Sequence, residues 1–247
     1  MTVPGDTPSG SRLRRLARRS PVATDATAAE ERPAAGEVCE LCGVPISTEH
    51  RHLVDLETRA LMCTCRACSL LFEGRAAGGG HYRLVPDRRL RIEGFELDDA
   101  LWESLAIPVD MAFFFHNTQV DRVVAFYPGP MGATESLLEL EAWRELEQAN
   151  PVLGGLEPDV EALLVNRAGG AREAWVVPID DPYDLVGLIR TRWRGLAGGR
   201  EVWEEIGAFF ERLGRRAKVV DRSGERVRAS AAADAAAGGG KEHAWAT

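Results

Sequence analysis

Five cysteines carry the clearest chemistry in this 247-residue sequence, and four of them fall in two Cys-x-x-Cys pairs. Cys39-Glu-Leu-Cys42-Gly43 has the form of a metal-binding knuckle, two thiolates followed by a glycine that permits a left-handed turn. Cys65-Arg-Ala-Cys68 is the second pair. The 22 residues between them, 43–64, slightly exceed the usual spacing of about 15–20. A hairpin accounts for the excess: His52-Leu-Val-Asp-Leu runs out, Glu57-Thr58-Arg59 turns, and Ala60-Leu-Met-Cys63-Thr returns. Such a ribbon brings its two ends together, so Cys39, Cys42, Cys65 and Cys68 are expected to share one tetrahedral ion.

A module this small has little apolar area and needs a metal, a disulfide or a partner surface to stay folded. Structural zinc supplies on the order of 10 kcal/mol in such sites. Four thiolates suit zinc or a single iron by geometry. Rubredoxin-type iron sites follow each knuckle with glycine, whereas Ser69 follows the second pair here, so zinc is expected and a single iron is the alternative. A thioredoxin-like redox pair leaves the second Cys-x-x-Cys unexplained. Cys63 reads as a small packing residue on the ribbon. Its alternative reading is a spare thiolate that replaces a ligand or responds to oxidation. His50 and His52 read as residues beside the ligands rather than as ligands, because four thiols are already present.

Other motifs carry less. Tyr127-Pro-Gly-Pro-Met-Gly-Ala-Thr-Glu-Ser136 is glycine-containing but lacks a Gly-Lys-Ser/Thr element, and Glu135 stands where a phosphate would sit, so it reads as a structural loop. Eight acids between 135 and 161 read as a solvated face or a docking surface for a basic partner. Arg190, Arg192, Trp193 and Arg194 form a candidate interaction patch, since Trp and Arg are enriched at interface hot spots. Arg83, Arg88, Arg89 and Arg91 could add to it as a local basic patch. His81 and His116 belong to no recognisable catalytic arrangement, and the sequence contains no nucleophile elbow, Walker loop or dinucleotide fingerprint.

These residues need a frame. Hydrophobic residues make up 45% of the chain, enough for a well-packed domain. The formal net charge of −8 argues against bulk nucleic-acid binding. No apolar run is long enough for a transmembrane helix. The N-terminal arginines (Arg12, Arg14, Arg15, Arg18, Arg19) precede no apolar stretch. A cytoplasmic protein is therefore expected, in whose reducing environment clustered cysteines are read as metal-binding or redox-active.

Four segments are expected: a disordered basic stretch over 1–36, a zinc-ribbon-like module over 37–73, an α+β domain over 81–217, and an Ala/Gly-rich disordered tail over 218–247. Within the α+β domain, Asp98 caps a short helix. Met111–Phe115 and Val120–Tyr127 form one hairpin, and Val160–Asn166 and Glu173–Val177 a second. Glu139–Ala149 reads as a helix. Leu185, Val186, Ile189 and Trp193 mark another helix, and Val202, Ile206, Phe209 and Leu213 a last one. Hairpins separated by helices predict an antiparallel sheet packed on helices.

Several strings together resemble an uncharacterised, mainly actinobacterial family with an N-terminal paired Cys-x-x-Cys motif. They are Cys39-Glu-Leu-Cys-Gly43, His50-Arg-His-Leu-Val-Asp-Leu-Glu57, Cys63-Thr-Cys-Arg-Ala-Cys-Ser-Leu-Leu-Phe72, Gly80-His-Tyr-Arg-Leu-Val-Pro86, the run Leu153–Arg167, and Leu185-Val-Gly-Leu-Ile-Arg-Thr-Arg-Trp-Arg-Gly195. The resemblance covers about residues 37–217. Genes of this kind often lie beside those of uptake nickel-iron hydrogenases, which implies an accessory role and a hydrogenase subunit or maturation factor as partner. The reading is thus a metal-binding accessory protein acting through protein–protein contacts. A rubredoxin-like electron carrier is the first alternative, and an enzyme with a structural zinc the second.

Overall fold

The computed structural model describes residues 36–227 except 75, 76 and 196. The expected basic N-terminal stretch and most of the expected tail lie outside these residues. Two sheets organise the fold. The smaller contains β1 (Arg51–Asp55), β2 (Leu61–Thr64) and β3 (Tyr82–Leu84) in the order β2-β1-β3. The larger has seven strands: β4 (Leu90–Glu93), β5 (Met111–Asn117), β6 (Arg122–Gly129), β7 (Gly132–Ser136), β8 (Glu161–Asn166), β9 (Glu173–Pro178) and β10 (Lys218–Asp221). Their order is β10-β4-β9-β8-β5-β6-β7. Every neighbouring pair is antiparallel except β10 on β4, which is parallel.

Among the described residues, five α-helices complete the α+β fold: α1 (Arg66–Leu70), α2 (Asp99–Ser104), α3 (Leu140–Ala149), α4 (Asp180–Arg192) and α5 (Arg200–Arg216). The large sheet is covered on both faces. On one, Ala112, Phe114, Leu163, Val165 and Val176 pack with Leu101 and Trp102 of α2 and Trp143 and Leu146 of α3. On the other, Phe113, Phe115, Leu164, Trp175 and Val177 pack with Leu185 and Ile189 of α4 and Ile206, Phe210 and Leu213 of α5. Burial on both sides explains why β5 and β8 are apolar without alternation: a strand with a solvated face would carry polar residues at every second position.

The expected hairpins and helices are present within a few residues of their expected limits. Asp98 caps α2, its carboxylate accepting the Leu101 N–H at 2.8 Å. Four features differ. Residues 90–93, for which no element was expected, form β4 between β10 and β9. The glycine-containing loop after Tyr127 is a tight turn into β7, which pairs with β6 from Ser136↔Ala125 to Gly132↔Gly129. Residues 218–221, expected in the tail, form β10 on the sheet edge. The small sheet runs past its expected end at residue 73, because β3 pairs with β1 beyond the glycine turn.

The ribbon and the large sheet belong to one compact unit. Val54 and Val85 join the core beneath α4 and α5, and Leu53 has no exposed surface. At the ribbon's turn, the Arg59 guanidinium lies 5.1 Å from the centre of the Phe115 ring, and the Gln119 amide donates to the Glu57 carbonyl at 3.2 Å. The ribbon is therefore fastened at its turn and along its length to the domain that carries it.

Candidate metal centre

The first Cys-x-x-Cys pair sits on a tight turn. The Cys39 N–H donates to the Val44 carbonyl at 2.8 Å, and the Gly43 N–H donates to the Cys39 carbonyl at 2.7 Å. Closing this turn puts Gly43 at φ +75°, where a Cβ would be strained. The second pair is built differently. Cys65 caps α1, its sulfur accepting the Cys68 N–H at 3.4 Å, so Cys65 and Cys68 straddle the helix's first turn.

Glu40 draws the pairs together. Its N–H donates to the Cys63 carbonyl at 2.9 Å, and its carboxylate accepts the Cys63 N–H at 2.5 Å. The first turn is thus stitched to the end of β2, two residues before Cys65. As a result one sulfur from each of Cys39, Cys42, Cys65 and Cys68 lies within 4.8 Å of the others. The Cys42 and Cys65 sulfurs are 3.8 Å apart. A tetrahedral ion with metal–sulfur bonds of about 2.3 Å separates its ligands by about 3.8 Å, so this pair already stands at the ligand spacing and the four cysteines could hold a metal ion.

The electrostatics agree. Burial raises the pKa of the Cys39 thiol, but the backbone N–H groups of Cys65, Cys42 and Leu41 outweigh it and bring the value down to about 6. The Cys68 thiol is pushed up to about 12, first by the sulfurs of Cys42 and Cys65 and then by burial. One thiolate forms readily and a neighbour then resists ionisation, as crowded acids do, and a divalent ion among four such thiols favours the ionised form of each.

Cys63 does not join this group. It faces His52 across the β1–β2 pair, and its thiol is raised by burial and by the charges of Glu40, Glu37 and Cys39. The His50 and His52 rings meet edge-on with centroids 4.7 Å apart. His52 Nδ1 lies 2.8 Å from Asp180 Oδ2 at the start of α4, and this carboxylate raises the imidazole pKa against the opposing effect of burial. Asp181, next in sequence, takes Arg89 through two bonds of 2.6 and 2.7 Å, both side chains being buried. These residues border a polar cleft of about 920 Å³ between the ribbon and α4, lined also by Arg66, Asp184 and Arg216. The roles of Glu40, Asp180 and Asp181 were not readable from local spacing, since each acts on a residue more than 20 positions away.

The arginine patch is largely occupied. Arg192 pairs with Glu201 and Glu205 of α5. The Trp193 ring meets Trp203 edge-on, and its N–H donates to the Gly195 carbonyl. Arg190 and Arg194 are exposed. Arg83, Arg88 and Arg89 form no basic patch: they pair with Glu157 and Asp159, with Glu161, and with Asp181, and Arg91 lies over the Trp175 ring. His81 pairs with exposed Glu57 and His116 with exposed Asp121, and neither lines the polar cleft.

A family model matches residues 38–217, from just before the first cysteine to the end of α5. The chain belongs to the family of unknown function DUF5947. No curated protein and no solved structure matches it. The DUF5947 match takes in the ribbon, both sheets apart from β10, and the polar cleft. Among the described residues, no helix is long and apolar enough to cross a membrane.

Proposed function

We propose that this DUF5947 protein is a zinc-holding accessory protein that acts by binding another protein through its ribbon. The carrying observation is the closed four-sulfur centre, formed by two chain segments that also expose Val38, Leu41, Val44, Leu70 and Leu71. A structural ion that rigidifies a segment rich in exposed apolar side chains presents a surface suited to a partner. The asymmetry of the two pairs supports zinc: one ends in a left-handed glycine and the other opens a helix, whereas rubredoxin-type iron sites use two glycine-ended knuckles. The resemblance noted above makes a hydrogenase subunit or maturation factor the first partner to try.

Metal analysis of protein purified without chelator tests the first half. Colourless protein with zinc that Cys68→Ser releases is expected. A red protein whose visible bands bleach on reduction would instead establish the electron-carrier reading, which the exposed position of Cys42 favours. The second half is tested by co-purification with hydrogenase subunits and maturation factors. Binding should be lost in Val44→Asp and Leu71→Asp while zinc is kept; undiminished binding in both would overturn the ribbon as the contact surface.

A further inference from the structure

Two residues from Cys65, the ribbon carries a second set of metal-binding side chains. His52 and Cys63 are direct partners across β1 and β2, and His50 precedes His52 by one strand repeat, so it falls on the same side. One ligand atom from each of the three lies within 4.8 Å of the others.

The hydrogen bonds fix which nitrogens are available. His50 Nδ1 lies 2.9 Å from the Ser47 carbonyl. A carbonyl only accepts, so Nδ1 carries the proton and the lone pair is on Nε2. His52 Nδ1 faces the Asp180 carboxylate at 2.8 Å, which leaves its Nε2 free as well. Imidazoles that bind metals are held in this way, one nitrogen donating to a carbonyl or carboxylate and the other kept for the ion.

The burial of His50 is a separate indication. Its side chain is only 7% exposed, and its Nε2 is buried without any hydrogen-bond partner. A buried acceptor left unpaired is unfavourable and calls for an explanation. A cation held jointly with His52 and Cys63 provides one.

We propose that His50, His52 and Cys63 form a second metal site, separate from the four-cysteine centre, for a transition ion of the zinc and copper class. Two imidazoles and one thiolate suit these ions and not magnesium or calcium. Three protein ligands leave a fourth position for water or a small ligand, the arrangement of reactive rather than purely structural zinc sites. His50 and His52 border the polar cleft, which has room for such a ligand. Asp180 is a positioning residue that acts through His52. The site does not depend on which metal the four cysteines hold.

Cobalt(II) titration of the full-length chain, its four-cysteine centre already filled, tests this. One further equivalent is expected, with absorption bands of a two-nitrogen, one-sulfur site. His50→Ala and His52→Ala should each abolish it, while the metal at the four cysteines is retained as a control for folding. Asp180→Asn leaves all three ligands in place and should weaken cobalt binding about 10- to 100-fold. The proposal is overturned if no second equivalent binds, if both histidine variants still bind it, or if Cys63→Ser releases the first ion. Should the histidine variants lose both ions, unchanged cobalt affinity in Asp180→Asn decides against the site and weakened affinity decides for it.

Discussion

Cys39 and Cys68 stand at opposite ends of a shared ionisation, one thiol brought down to about 6 and the other pushed up to about 12. Replacing either with serine should release the ion, readable as metal content after gel filtration. Cys63→Ser should leave the ion at the four cysteines in place, because Cys63 faces His52 and not the four sulfurs. The Arg89–Asp181 pair makes a different prediction. Both side chains are less than 10% exposed, so Arg89→Ala strands a buried carboxylate and should cost about 3–5 kcal/mol of unfolding free energy, measured by urea denaturation. Replacing both residues with apolar side chains of similar size should restore most of that. The clustering of the four cysteines was legible from spacing alone, since a knuckle is written within four residues. Glu40 and Asp181 were not, because each acts across the fold on groups that local pattern does not connect.

Elements show where periodicity suffices. Asp98 is readable as a cap because the helix it starts follows at once. Asp98→Ala should lower stability by about 1 kcal/mol, measured by thermal unfolding. The β1–β2 turn rests on Asp55, whose carboxylate accepts the N–H groups of Glu57 and Thr58 at 2.9 and 3.1 Å. The Thr58 bond is the first cause of its lowered pKa. A carboxyl depressed in the fold contributes stability above its unfolded value and loses it as pH falls through the folded one. Carboxyl carbon NMR should therefore place the Asp55 midpoint below the ordinary aspartate value of 3.8, and Asp55→Ala should remove this acid-side dependence from the turn's amide exchange. Strands β3, β4, β7 and β10 escaped the reading, and for β7 and β10 the reason is common. Both lie at an edge of the seven-stranded sheet, where backbone pairing with a neighbour defines the strand and side-chain alternation is weak. β10 needs β4, 128 positions earlier, to become a strand at all.

In the whole molecule, the ribbon with its four-cysteine cluster is attached to a domain whose core it shares through Val54 and Val85. The cores on the two faces of the large sheet contain none of the four cysteines. A strong chelator should therefore expose amides in 37–46 and 65–72 to hydrogen exchange while β5 and β8 remain protected; simultaneous loss of protection in all four regions would show that the metal supports the entire fold. The α+β class followed from hairpins alternating with helices. Coverage of the sheet on both faces did not, although the unbroken apolar runs of β5 and β8 carried that signal, because a short apolar run fits a buried strand and a buried helix turn equally well.

Asp180 and Asp181 are consecutive, about 100° apart around the start of α4, and each holds a different piece of the molecule: His52 of β1 and Arg89 before β4. The first turn of that helix is accordingly a two-pronged latch. Rolling α4 far enough to release one prong drags on the other, so the histidine edge of the ribbon and the entry to the large sheet are mechanically geared through a single peptide unit.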